Sequence, residues 1–515
     1  MRLLIGFLLG TGLAACTQNP SEFETFMAQH PDQTYTLLIE GGEMIDGTGA
    51  EGYPADVLTQ GDSIVFIGEV DTTLVNVDQI IDATGKVVTP GFIDMHSHGD
   101  PLETPDFQNF LAMGVTTISL GKDGSSPDYE NLDEWMQQVE DTVPGVNIAM
   151  FVGHGTLRMQ SGIKYNPRPS QEQLADMGNL LERNLDAGCF GMTTGLEYVP
   201  GFYAPAYELE YLAKIVGEKG KLITSHVRNE DDDAVEASIQ ELLKQGQYSR
   251  VNVSHMKVVY GEGESRAEEI LAVLEEARQQ GIEVTADVYP YTASYTGISI
   301  LFPEWAKPPN QYEQVVANRR GELEKFLRNK VKQRNGPEAT LLGTAPYAGK
   351  TLAQLAEESG KPFEDILIDD IKPGGASGAY FVMNDSLQAR FIADPLVMIS
   401  SDGSPTGRHP RGHGTFARII EKFVVQDSVL TLADAIRKMT SLPAKTMGIA
   451  DRGVVAVGKK ADLLVFAPQQ VRETATYENP FQLAEGIDCL IVNGKMALKK
   501  GAFTEQRYGQ MLRKF

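Results

Sequence analysis

The sequence predicts an α/β fold: a (β/α)8 TIM-like barrel with a small β-sandwich domain formed by both termini. Three observations carry this. The middle of the chain alternates apolar strands with helical stretches, the signature of βαβ units. Eight such strands can be picked out, the number that closes a barrel. The two flanks share another texture, short alternating strands separated by Gly turns.

The leader comes first. Met1-Arg2 gives a positive start, and Leu3 to Leu13 is a mostly apolar run, too short to span a membrane and laid out as a secretory signal. Leu13-Ala14-Ala15-Cys16 resembles the lipobox of bacterial lipoproteins. That implies a signal over residues 1–16, a lipid on Cys16 and, with Thr17 next, outer-membrane sorting in a periplasm-facing envelope protein. The competing reading is an ordinary signal with a coincidental Cys. Residues 17–33, polar with Pro20 and Pro31, predict a tether. No later stretch reaches the ~18 apolar residues a span needs.

The sandwich is expected from residues 34–87 and 453–505. Thr36-Leu37-Leu38-Ile39 and Ser63 to Gly68 at one end match Ala461 to Phe466 and Cys489 to Lys495 at the other. The barrel is expected over 88–452. Its candidate strands lie within Val88 to His98, then at Thr116 to Leu120, Asn147 to Val152, Cys189 to Thr193, Leu222 to His226, Val251 to His255, Val284 to Val288 and Val397 to Ser401. Gln171 to Ala187, Asp232 to Gln245 and Ser265 to Gly281 read as helices between them. The Glu-, Arg-, Lys- and Asn-rich interval near 303–336 predicts a helical insertion before the last strand.

Composition limits function. The net charge of −25 argues against a nucleic-acid binder and against electrostatic adhesion to anionic lipid. Cys189 and Cys489 form no CxxC pattern and read as core thiols.

Four of the eight His fall at predicted strand ends. Residues two apart on a strand point the same way, so His96 and His98 converge as a chelating pair. His226 and His255 each close a strand in Ser-His, one βα unit apart. Asp402 follows the last strand and faces the same mouth, placed to ligate a metal and accept a proton from water.

This constellation resembles the metal-dependent amidohydrolases. With Gly153-His154-Gly155-Thr156, Gly195-Leu196-Glu197-Tyr198, Ser254-His255-Met256-Lys257, Tyr289-Pro290-Tyr291, Ser401-Asp402-Gly403 and His409-Pro410-Arg411, it resembles the D-aminoacylase (N-acyl-D-amino-acid deacylase) family from about Tyr35 to Gly494. The resemblance implies a barrel plus β-sandwich, Zn2+ and hydrolysis of N-acyl-D-amino acids. It implies that His226 and His255 hold one tightly bound zinc, and that His96, His98 and Asp402 form a second, weaker position. Asp402 matches the catalytic base, Lys257 the group that holds the substrate's α-carboxylate, and Tyr198 a substrate contact. Arg411 and Tyr291 fit the same pocket.

One position departs. The family has Gly-Asn-Cys-Gly after strand two, with the Cys on zinc; this chain has Gly121-Lys122-Asp123-Gly124. Asp123 is the favoured replacement ligand, with a carbamate on Lys122 and the carboxylate of Glu197 as alternatives. Adjacent strand residues point opposite ways, so Lys122 and Asp123 are not expected to reach the metal together.

Several residues carry a plainer reading. His154 fits a structural hydrogen-bonding role as well as a catalytic one. His409 and His413 lie in a loop with Arg408. The run Glu230-Asp231-Asp232-Asp233 reads as an acidic cap on the following helix. The alternative enzyme readings are hydrolysis of dipeptides or of cyclic amides, as by hydantoinase or dihydroorotase. The non-enzyme alternative is an envelope binding lipoprotein. The expected partner is a small molecule, with no nucleic acid and with membrane contact only through Cys16.

Overall fold

Strands buried on both faces need no polar alternation, and Val115–Leu120 is buried at every residue. The computed structural model, which describes residues 21–30 and 33–515, closes eight such strands into a parallel barrel. They are Phe92–Asp94, Val115–Leu120, Asn147–Met150 continued by Val152–Gly153, Gly191–Gly195, Leu222–His226, Arg250–Val253, Val284–Val288 and Val397–Ile399. Each pairs in parallel with the next. Strand eight meets strand one through the Asp402 N–H on the His96 carbonyl and the His98 N–H on the Gly403 carbonyl, both 2.8 Å.

The third strand is broken at Phe151. Its upper half pairs with strand four, while its lower half pairs with Met511–Leu512. A segment from far downstream thus lines the base of the barrel.

Helices shield the outside. Gln171–Asp186 starts at a capping box between Ser170 and Gln173 and buries Met177, Leu181 and Leu185. Val235–Gln245 and Gly263–Gln279 follow the next two strands.

The sandwich draws on both flanks. Four strands between Thr34 and Asp82 form one sheet. The other is seven-stranded and joins Val87–Pro90 to Leu463–Phe466 and Ile487–Val492. Leu37, Ile39 and Val57 from the first meet Val88, Leu463, Val465 and Ile491 from the second in one core. Cys489 lies in this core and Cys189 in the barrel's; both are buried and free.

Two expectations need correction. The interval 17–33 is more than a tether where it is described: Glu22–Gln29 is a helix with a Ser21/Glu24 capping box. It docks on the sandwich because Phe23 and Phe26 find Tyr35, Leu38 and Phe66. The insertion is also larger than 303–336. It holds the helix Tyr312–Gln333 and a three-stranded antiparallel sheet of Ala293–Gly297, Ser377–Phe381 and Thr340–Leu342, with its own apolar core. Its strands are short and partly exposed, which hides them from an apolar-run reading. The leader, Cys16 and residues 17–20 lie outside the described residues. No described helix is long and apolar enough to cross a membrane.

Candidate metal centre and active site

The strand ends meet at the barrel mouth, around a cavity of about 230 Å³. Three site residues stand in the left-handed backbone region: Asp123 at φ 53°, His255 at φ 35° and Asp402 at φ 48°. Such strain persists only where the surroundings impose it. Two buried carboxylates do so. Asp94 accepts the His96 N–H at 3.1 Å and the Ser401 N–H at 3.0 Å, tying strand one to strand eight. Asp287 accepts the His255 N–H at 2.9 Å, Asn252 at 2.6 Å and the Ser400 hydroxyl at 2.5 Å. The Asp123 loop is held by close approach to strand four, where a Cβ on Gly195 would stand 2.0 Å from the Asp123 carbonyl oxygen.

Donors converge in three sets among the described residues, two of which share Asp123. His96, His98, Asp123 and Asp402 form one of these, and Asp123, His226 and His255 the other; the third is Glu197, His226 and Glu230. Asp123 Oδ1 lies 3.3 Å from both His96 Nε2 and His255 Nε2, and Oδ2 lies 3.4 Å from His98 Nε2. His226 Nδ1 faces His255 Nε2 at 3.0 Å. Nitrogen donors at ~2.0–2.1 Å on a tetrahedral zinc stand roughly 3.3 Å apart, so the spacing suits a shared ion. His96 is 1% exposed, yet neither ring nitrogen makes a hydrogen bond. A buried imidazole with only long contacts to carboxylates is unusual unless something else occupies its lone pair. Burial opposes protonation of His98 and His255, but Asp123 and Asp402 outweigh it, holding them at about 9 and about 10. A bound cation displaces those protons. The residues present therefore fit zinc.

The far nitrogens are oriented by carboxylates, as metal-ligating imidazoles usually are. Glu197 Oε2 lies 2.9 Å from His226 Nε2. Glu230 Oε1 lies 3.3 Å from His255 Nδ1 and 2.6 Å from Lys257 Nζ. Lys257 is 3% exposed, and Glu230 keeps it charged against the desolvation that opposes it.

The amidohydrolase family signature matches residues 364–497. N-acyl-D-glutamate deacylase of Alcaligenes xylosoxydans xylosoxydans is 32% identical over 507 residues, 93% of this chain and 96% of its own. The crystal structure of N-acyl-D-glutamate deacylase from Bordetella bronchiseptica, complexed with zinc and a phosphonate mimic of the tetrahedral intermediate, matches with a TM-score of 0.82 at 32% identity, covering 94% of this chain and 100% of that one. That of D-aminoacylase matches at 0.81 and 30% identity, covering 93% and 100%. This chain belongs to the N-acyl-D-amino-acid deacylase family of amidohydrolases.

In this deacylase-family chain, Asp123 occupies the place where the resemblance puts a metal-binding Cys. Lys122 points elsewhere, its ammonium 3.7 Å from the centroid of the Phe151 ring, and Glu197 reaches the outer nitrogen of His226. Tyr198, Lys257 and Arg411 line the cavity. Tyr291 does not, which corrects that expectation. Its hydroxyl donates to Glu473 at 2.6 Å, because its N–H closes a tight turn onto the Tyr289 carbonyl and rotates the side chain away. Tyr289 lines the cavity instead.

The acidic run is likewise not a helix cap. Val235–Gln245 starts at Ala234 without a side-chain cap, Glu230 serves Lys257 and His255, and Asp232 accepts Arg266 at 2.6 Å. Glu230 stands four residues after His226, a spacing that charge composition alone masked. His154 is 0% exposed and pairs with Glu208 at 2.7 Å beside Arg158, a structural cluster behind the Asp123 loop. His409 braces its loop through the Ala293 carbonyl and the Arg411 N–H. His413 lies outside the cavity lining, with Phe481 against its ring.

Proposed function

We propose that this protein hydrolyses the amide bond of N-acyl-D-amino acids with zinc as cofactor, giving a carboxylate and a free D-amino acid. The observation that carries the reading is Asp123, shared between two converging donor sets in a cavity that also presents Lys257 and Arg411. His226, His255 and Asp123 would hold the first ion, and His96, His98, Asp123 and Asp402 a second. Bound there, zinc polarises the acyl carbonyl and acidifies a water.

The chain's own groups do the rest. Asp402 takes a proton from the attacking water and delivers it to the nitrogen as the C–N bond breaks. Arg411 Nη1, 2.7 Å from Asp402 Oδ2, keeps that carboxylate ionised with Oδ1 toward the cluster. Lys257, with the Tyr289 ring beside it, meets the α-carboxylate and so fixes which way the amide lies. Tyr198, its ring centroid 4.5 Å from that of His226, lines the cavity beside the donor cluster. The D preference is supported by the relatives.

The test is hydrolysis of paired N-acetyl-D- and N-acetyl-L-amino acids by zinc-loaded protein and by Asp402→Asn. D-selective turnover that falls about 100- to 10,000-fold in the variant is expected. Turnover of cyclic amides alone would replace the reading.

We further propose that Cys16 carries a lipid and anchors the protein in the bacterial envelope, supported by Leu13-Ala14-Ala15-Cys16. Cys16→Ser should release the protein from the membrane fraction; retention there would count against it.

A further inference from the structure

The catalytic cavity is lined by three long cations, Lys257, Arg334 and Arg411. Two are already neutralised. Lys257 pairs with Glu230 at 2.6 Å and Arg411 with Asp402 at 2.7 Å. Arg334 is not. It is 2% exposed, yet it makes no ion pair among the described residues, and its Nε is buried without a partner. Its guanidinium carbon stands 4.9 Å from the centroid of the Tyr380 ring. The buried Tyr260 hydroxyl beside Arg334 is neutral and does not offset that charge. The nearby carboxylates are in closer contact with other groups: Asp231 faces Lys330 at 3.4 Å and meets the Arg334 charge only at longer range, and Glu197 faces His226 at 2.9 Å.

A guanidinium withdrawn from water without an anion is costly, and folded proteins rarely keep one. Its planar fork matches a carboxylate in two parallel hydrogen bonds. Arg334 directly follows the helix Tyr312–Gln333, so the insertion supplies it, whereas the barrel supplies Lys257 and Arg411. With Thr296 and Ile300, also from the insertion, it lines the cavity apart from the α-carboxylate clamp.

We propose that Arg334 receives a second carboxylate of the substrate, and hence that the substrates are N-acyl derivatives of acidic D-amino acids, of the D-aspartate or D-glutamate type. This rests on the deacylase reading and adds the side-chain class to it.

The experiment compares kcat/KM for N-acetyl-D-glutamate and N-acetyl-D-aspartate with that for N-acetyl-D-leucine, using full-length zinc-loaded wild type, Arg334→Met and Arg334→Lys. Calorimetric binding of free D-glutamate and D-norleucine accompanies it. Wild type should prefer the acidic substrates. Arg334→Met should lower the acidic-to-neutral ratio roughly 10- to 100-fold, mostly through KM, with part of it restored in Arg334→Lys. A wild-type preference for leucine overturns the proposal, and needs no variant. So does an equal loss for every side chain, which would place Arg334 on the α-carboxylate or in a purely structural role. If no N-acyl-D-amino acid is turned over, the deacylase reading fails by itself. Tighter binding of D-glutamate than of D-norleucine, lost in Arg334→Met, would still uphold the receptor, and equal binding would sink it.

Discussion

Asp402 is divided between two partners: Oδ1 lies 3.0 Å from His98 Nε2, and Oδ2 lies 2.7 Å from Arg411 Nη1. Burial by itself would raise this carboxyl, but Arg411 first, then His255 and His98, hold it well below the ordinary range. Arg411→Met removes the largest opposing charge. A base whose pKa rises is protonated over more of the pH range. The acid limb of kcat/KM against pH should therefore move to higher pH, and a limb that stays in place would remove Arg411 from this role.

As the proposed shared ligand, Asp123 should set metal choice. A carboxylate oxygen is harder than a thiolate and selects less strongly for zinc over manganese or cobalt. Asp123→Cys should raise zinc retention over those ions during dialysis against chelator. Asp123→Ala should lower retention at both donor sets together, since they share this residue. Metal analysis of the dialysed proteins reads both, and independent loss at one set would break the bridging assignment.

Glu208 carries an acid-stability prediction. Burial raises its pKa, but His154 and Arg158 outweigh it and leave it lowered. A lowered carboxylate stabilises the fold above its unfolded pKa of ~4.3 and loses that contribution as pH falls. Glu208→Gln should cost about 3–5 kcal/mol near neutrality by stranding Arg158, with the gap to wild type narrowing below pH ~4. Thermal midpoints across pH test this; a gap that widens in acid would contradict it.

The base of the barrel has its own test. Met511 is 7% exposed and pairs with Ile148. Met511→Glu places an unpaired charge against the third strand, and a loss of about 2–4 kcal/mol is expected. An unchanged denaturation midpoint would mean that the Met511–Leu512 strand is dispensable.

The sequence was most legible where chemistry and periodicity coincide. His96, His98, His226 and His255 sit at ends of apolar runs, and the eight strands lie close to where those runs place them. The expectation for Tyr291 comes from the motif resemblance alone, and motif matching does not register the tight turn after Tyr289 that sends its hydroxyl to Glu473. Glu230 was hidden in an acidic run whose average property is solvation, although its individual partner is Lys257. Arg334 could not be singled out at all. An unpaired cation is defined by what fails to surround it, and only a folded chain shows that.

Asp123, His255 and Asp402 all adopt positive φ, held there by buried Asp94 and Asp287 and by the close approach of Gly195. The point where the donors meet is therefore set by main-chain conformation more than by the donors' own identity. Exchange of a side chain at such a position is constrained, because positive φ disfavours most L residues. Retuning of this centre is therefore open chiefly to residues that tolerate positive φ, as Asp does at 123.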